Sequence, residues 1–170
     1  MTFSSQRLTL SEFELTDAGF ILELINDPDF IRFIGDKKVR SIADAEEYIT
    51  SGPMKSYTEN GFGLWKVSLM QTGMPIGMCG LIRRETLPAI DIGYAFLPAF
   101  RAQGYAFEAA FACKEYARLQ LKVDSLCGIV NPENHRSIKV LTQLGMHFER
   151  SLRMQSADHD VNLYLERFSA

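Results

Sequence analysis

The chain has 170 residues, the length of one domain. With 46% hydrophobic and 11% aromatic residues it can pack an interior, which excludes a disordered chain. A formal charge of −3 argues against a nucleic-acid partner, for which a basic face is the electrostatic requirement.

No apolar run approaches the ~20 residues of a membrane span, so no membrane partner is expected. Residues Met1 to Arg7 contain no apolar signal core, and a cytoplasmic location is expected. Cys79, Cys113 and Cys127 lie in apolar segments without C-x-x-C spacing and read as reduced structural thiols. His135, His147 and His159 have no second ligand at zinc spacing, so no metal is expected.

In chain order, alternation from Arg7 to Phe13 predicts a first strand. Thr16 or Asp17 caps a helix whose Ala18, Ile21, Leu22 and Ile25 share one face. Asp27-Pro28 ends it and starts a short helix, Asp29 to Ile34. Ser41 caps a third segment through Ala45, Tyr48 and Ile49, broken near Gly52-Pro53. Phe62 to Met70 reads as a strand, Gln71 to Met74 as a hairpin turn, and Ile76 to Leu87 as the returning strand. Pro88 sets off the next strand, Ala89 to Leu97. A helix follows from about Tyr105 to Leu119, with Ala106, Ala109, Ala110, Cys113 and Ala117 on its buried face. Then come a strand (Ser125 to Val130), a helix (Asn134 to Leu144) and a closing antiparallel pair, His147 to Met154 with Val161 to Phe168. There is no internal repeat or linker long enough to divide the chain. The expectation is one α+β domain over residues 1–170.

Chemistry concentrates behind the strand that ends at Leu97. There Arg101, Ala102, Gln103 and Gly104 form a turn, and a helix opens at once with Tyr105 and Ala106. The first N–H groups of a helix lack partners and sit at the positive end of its dipole. A glycine in the preceding turn lets an anion approach the backbone, so the arrangement suits a phosphate. Neither G-x-x-x-x-G-K-[ST] nor the glycines of a dinucleotide loop are present. Alone, the tract fits a plain strand–turn–helix connection equally well.

A second motif follows: Asn131-Pro132-Glu133-Asn134-His135-Arg136-Ser137, then an apolar helix closed by Gly145-Met146. Asn134 as a simple helix cap would account for it in isolation. In this order and context the two motifs resemble those of the Gcn5-related N-acetyltransferases (GNAT). The tract Asp91-Ile92-Gly93-Tyr94 through Glu108-Ala109 is similar to the branch containing the ribosomal-protein N-terminal acetyltransferases.

The resemblance implies the GNAT fold: a central, mostly antiparallel mixed sheet with flanking helices, splayed between the strands ending at Leu97 and Val130. It implies acetyl-CoA as co-substrate, its pantetheine arm in that gap against backbone groups of Phe96 and Leu97. Its pyrophosphate would lie on Arg101, Ala102, Gln103, Gly104, Tyr105 and Ala106, with Asn131, Asn134 and Ser137 alongside. The early helices, about Phe30 to Asn60, would form an acceptor-binding lid, with Met54 and Tyr57 at its edge, and Trp65 belongs to the core.

Many family members carry a Tyr as proton donor seven residues after the motif Asn. Here that residue is Leu141, and Ser137, one turn earlier, offers a hydroxyl to the leaving thiolate. The plainer role for Ser137 is to satisfy groups at the helix start. Asp91 stands where many relatives have Glu. Flanked by Ile90 and Ile92, it would have a raised pKa and accept the amine's proton through water. A strand-end Asp facing solvent is the alternative, and Glu149, Asp158, Asp160 or solvent alone could serve instead.

The expected partner is an amine-bearing acceptor, a protein N-terminus or a small amine such as a polyamine, amino acid or antibiotic. A catalytically silent acyl-CoA-binding domain is the rival from another class. A homodimer is left open.

Overall fold

The computed structural model describes residues 1–155 and 159–169. Two short strands open the chain, β1 (Thr2–Ser4) and β2 (Leu8–Ser11), joined by a turn in which Ser5 N donates to Leu8 O at 2.9 Å. Alternation predicts only the second of these. β1 escapes it because its single apolar residue, Phe3, is anchored by distant rings, 5.0 Å from Trp65 and 5.5 Å from Tyr116 between centroids.

Helix α1 (Ala18–Ile25) buries Ala18, Ile21, Leu24 and Ile25. Asp27 then caps α2 (Pro28–Phe33), its Oδ2 accepting from Phe30 N at 3.1 Å. Pro28 takes the first helical turn, where its missing N–H goes unneeded. Ser41 and Asp44 form a reciprocal capping box at the start of α3 (Ile42–Ile49).

The break expected at Gly52-Pro53 does not occur. The chain continues through a π-helical turn, Thr50–Met54, into α4 (Lys55–Asn60), and the wider turn accommodates Pro53 inside the helix. Gly61, at φ 75°, ends it in the left-handed region.

The remaining elements are β3 (Leu64–Leu69), β4 (Pro75–Ile82), β5 (Ile90–Phe96), α5 (Tyr105–Leu119), β6 (Ser125–Val130), α6 (His135–Gln143), β7 (His147–Arg153) and β8 (Asp160–Arg167). β4 stops at Ile82 rather than Leu87. The polar run Arg83 to Thr86 leaves the sheet, and Leu87 N closes a turn on Arg84 O at 3.1 Å.

The eight strands of the described residues lie in one sheet, ordered β1-β2-β3-β4-β5-β6-β8-β7. Every neighbouring pair is antiparallel except β5 with β6. That parallel pair registers only Ile90 with Leu126 and Asp91 with Cys127, after which the strands diverge. β5 stays paired to β4 as far as Phe96, and β6 to β8 as far as Val130. The sheet therefore opens between the later halves of β5 and β6.

α5 lies on one face. Its Ala109, Ala110, Cys113 and Ala117 are fully buried, small enough to bring the helix close to the strands. The early helices cover the other face, packing around Met78. α6 reaches β6 because Gly128 has no side chain: a Cβ there would sit 2.6 Å from Leu141 Cδ2. Leu141 is 1% exposed, so the residue in the usual Tyr position is a core residue here. All three cysteines are buried and free. Burial holds the Cys113 thiol well above its ordinary pKa and pushes Cys127 up to about 12.

Candidate active site

A cavity of about 700 Å³ occupies the opening in the sheet, running from the start of α5 to the early helices. Alternate residues of a strand turn their N–H and C=O toward opposite neighbours. Leu97 N donates back to Ile76 O at 2.9 Å, so the backbone groups of Tyr94 and Phe96 face the gap. Both backbone groups of Leu97 are used within the chain, its O accepting from Phe100 N at 3.0 Å. The expectation that Leu97 presents free groups is corrected accordingly. Phe96 O is also taken, by Arg101 Nε at 3.0 Å.

At one end of the cavity the chain turns through Ala102 (φ 59°) and Gly104 (φ 82°) into α5. The first bond of the helix is Glu108 N to Gly104 O, at 3.0 Å. Among the described residues, the N–H groups of Ala102 through Phe107 make no hydrogen bond. They form a run of donors at the positive end of a 15-residue helix. A latch on the far side fixes this loop. Arg7 Nε donates to Glu108 Oε2 at 2.6 Å, Arg7 NH1 to Gln103 O at 3.2 Å, and the guanidinium lies 4.4 Å over the Tyr105 ring. Burial alone would raise the Glu108 carboxyl, but hydrogen bonds from Ser5 and Arg7 outweigh it and hold the pKa below the usual range.

Arg101 does not add its charge to that run. Its guanidinium turns toward the early helices, with NH2 2.5 Å from Asp27 Oδ2 and NH1 2.9 Å from Asp29 Oδ2. Arg101 thus positions the loop and ties it to α2, and the neighbouring Asp27 is buried. Gln103 is exposed, its amide donating to Ala99 O at 2.9 Å.

Asn134 caps α6, its Oδ1 accepting from Ser137 N at 3.2 Å. Asn131 holds the turn before it, accepting from Glu133 N at 2.9 Å and meeting His159 Nε2 at 2.9 Å. Ser137 projects from the first turn of α6 into the cavity. Across the gap, Tyr94 Oη lies 2.9 Å from Ser137 Oγ and 3.0 Å from Ser137 O. Burial pushes the Tyr94 phenol well above its ordinary pKa, and the hydrogen bond to Ser137 only partly offsets this. The phenol therefore stays protonated. Tyr94 lines the cavity, and the sequence shows it only as part of the Asp91-to-Tyr94 tract, with no sign of its contact with Ser137.

At the other end lies Asp91, 2% exposed, whose Oδ2 accepts from Arg84 Nε at 3.0 Å. Its Oδ1 is buried without a well-formed hydrogen bond. Burial raises the carboxyl to about 6, against the opposing pull of Arg84 and the Ile129 N–H. The structure thus replaces the solvent-facing alternative with a buried carboxyl lining the cavity. The same shift sets a stability trend. The contribution of neutral Asp91 is full below the ordinary 3.8 and is lost as pH rises through about 6.

Of the other candidate acids, Glu149 and Asp160 do not line the cavity. Glu149 pairs with Arg167 at 3.7 Å and Asp160 with Arg153 at 3.4 Å, while Asp158 lies outside the described residues. Met54 is exposed away from the cavity lining, and Tyr57 is structural, its hydroxyl donating to Leu64 O and accepting from Phe13 N. Among the described residues no cluster of His, Cys, Asp and Glu suited to a metal ion occurs.

A family model described as "Acetyltransferase (GNAT) domain" matches residues 7–147. The chain is 29% identical over 154 residues to p20, an uncharacterized N-acetyltransferase of Bacillus licheniformis, covering 89% of this chain and 85% of the relative. Among solved structures it is similar to an acetyltransferase from Agrobacterium tumefaciens (TM-score 0.83, 23% identity, 99% of this chain and 95% of that one). It also superposes on a ribosomal-protein-S5-alanine acetyltransferase from Vibrio fischeri (TM-score 0.74, 16% identity, 98% and 96%). At these identities the two structures share the fold.

Proposed function

This chain belongs to the acetyltransferase (GNAT) family and is an acetyl-CoA-dependent acetyltransferase acting on an amine; from that premise we propose that the acceptor is an α-amine of the kind found at a protein N-terminus. Transfer is by direct attack in a ternary complex. The observation that carries this reading is Asp91, a buried carboxyl facing the cavity with Oδ1 lacking a well-formed hydrogen bond, whose pKa burial raises to about 6. An α-amine has a pKa of about 7.7–8.0, so a useful fraction is neutral near pH 7.5 and a weak base suffices for the rest. A lysine ε-amine, at about 10.4, would need a far stronger base. The ribosomal-protein acetyltransferase named above offers a precedent for such an acceptor on the same fold. A protein acceptor of this kind would be met in the cytoplasm; among the described residues no helix is long and apolar enough to cross a membrane.

The residues present suit acetyl-CoA. The free N–H groups from Ala102 to Phe107 receive the pyrophosphate, and the gap-facing backbone of Tyr94 with the N–H of Phe96 receives the amides of the pantetheine arm. Strand N–H groups there can also polarise the thioester carbonyl as it gains charge. Ser137 Oγ, held by Tyr94, donates to the departing sulfur, and the phenol behind it keeps the serine hydroxyl oriented. Asp91 takes the amine's proton directly or through water. Holding the two reactants together supplies most of the remaining advantage, typically about 7–11 kcal/mol of the barrier.

Two results are expected. A peptide bearing both an N-terminal α-amine and a lysine, incubated with enzyme and acetyl-CoA, acquires acetyl on the α-amine by mass-spectrometric mapping; acetyl on the lysine alone overturns the assignment. The pH profile of kcat/KM has an acid limb near pH 6, where Asp91 becomes protonated and stops acting as a base. Asp91→Asn should lower the plateau and abolish that limb. A variant with the wild-type profile would assign deprotonation to solvent.

A further inference from the structure

The end of the cavity around Asp91 carries more positive charge than acetyl transfer uses. Arg84 donates through Nε alone, and among the described residues its NH1 and NH2 make no hydrogen bond or ion pair. Lys37 lines the same end and also has no partner among the described residues. The segment that carries it is firmly held. Asp36 accepts from Lys38 N at 2.8 Å and from Arg40 NH2 at 2.7 Å, and Arg40 NH1 reaches Asn26 Oδ1 at 2.8 Å. Of these basic neighbours only Lys37 lines the cavity. Lys37 is exposed as a residue, yet desolvation, then repulsion from Arg84, holds its pKa below the usual lysine value. Tyr48, also in the lining, has a hydroxyl without a hydrogen bond among the described residues.

Two like charges that face one cavity, with a carboxylate on Arg84 alone, are unfavourable unless something anionic joins them. The phosphates of CoA are too distant. Asp91 and Phe96 are five residues apart on β5, about 17 Å at the strand rise of ~3.4 Å, and the phosphate loop lies beyond Phe96.

Resting on the reading that an amine is acetylated beside Asp91, we infer that Lys37 and the free end of the Arg84 guanidinium bind a carboxylate carried by the acceptor close to its amine. The planar NH1–NH2 edge of Arg84 matches a carboxylate in a bidentate pair, and Lys37 adds a point charge from the lid segment. Because Arg84 Nε already holds Asp91 Oδ2 at 3.0 Å, the anion site adjoins the proton-accepting site. That separation suits the carboxylate of a free α-amino acid or an acidic side chain near a peptide N-terminus. Tyr48 Oη can donate to the same group.

The test is CoA release from acetyl-CoA with matched acceptors: free amino acids against their carboxamides, and peptides with Glu against Gln at the second position. In the responding arm the carboxylate member should have a kcat/KM at least tenfold higher, mainly through KM. The arm that responds distinguishes a free amino acid from a peptide acceptor. Lys37→Met should remove most of the preference and Lys37→Arg retain it, with acetyl-CoA affinity by calorimetry unchanged in both. The ratio within each pair cancels any general loss of activity, so Arg84→Gln can be read in the same way. Equal turnover of both members, or a preference surviving in both Lys37→Met and Arg84→Gln, overturns the assignment. Turnover confined to simple alkylamines also overturns it while leaving amine acetylation standing. Acetyl-CoA binding with no turnover of any amine brings down both readings.

Discussion

Gly104→Val should weaken acetyl-CoA binding at least tenfold, about 1.4 kcal/mol, in a protein that still folds. The residue sits at φ 82°, where a β-branched side chain is strained by roughly 1–3 kcal/mol. A Cβ there also comes within 3.3 Å of Arg7 NH2, the arginine that latches the loop through Glu108 and Gln103. Relief of the strain by rotation of the turn would displace the unbonded N–H groups of Ala102 to Phe107. The core of α5, from Ala109 to Ala117, is untouched, so the thermal transition should remain cooperative. Gly104→Asn is the informative partner, because Asn tolerates the left-handed region far better and should bind more tightly than the valine variant. Calorimetry showing wild-type affinity in folded Gly104→Val would remove the pyrophosphate from this loop.

For Ser137→Ala the expected loss is in turnover, with kcat falling by roughly ten- to a hundredfold and acetyl-CoA affinity little changed. General-acid assistance is typically worth 10²–10⁴, and a hydrogen bond from so weak an acid belongs at the low end. The helix start should survive, since Asn134 Oδ1 caps the backbone N–H of residue 137 whatever its side chain. Tyr94→Phe leaves the serine but removes the phenol that orients it, and should cost less. Because Tyr94 acts through Ser137, the double variant should be no slower than Ser137→Ala by more than about twofold; residues acting as a unit are not additive. A Ser137→Ala enzyme within twofold of wild type would reduce the serine to a helix-start residue.

Much of this site is local, and local features are legible. A strand, a glycine turn and a helix start lie consecutively in the chain, so the Gly104 loop could be read directly, as could Asn134 at its cap. The misplacements have long-range causes. Arg101 looks like part of the loop, but its charge is claimed by Asp27 and Asp29, more than seventy residues earlier in the chain. Tyr94 meets Ser137 only because β5 and α6 face each other across the opened sheet. Arg84, expected within a strand, leaves the sheet with the polar run after Ile82 and so reaches Asp91. Lys37 sits in a segment without periodicity, whose geometry depends on Asp36, Arg40 and Asn26 closing on one another. Helix α4 was hidden by Gly52-Pro53, because a break and a π-turn have the same local signature.

In the proposed reaction acetyl transfer takes place in the gap between β5 and β6, with the cofactor anchored at Gly104 and its sulfur at Ser137. A crystal structure of the wild-type chain with acetyl-CoA would decide it. The pyrophosphate should lie on the N–H groups of Ala102 to Phe107, the pantetheine arm along Tyr94 and Phe96, and the sulfur within hydrogen-bonding reach of Ser137 Oγ, with Asp91 on the acceptor side of the thioester. A cofactor seated outside the gap, or a sulfur out of reach of Ser137, would contradict it.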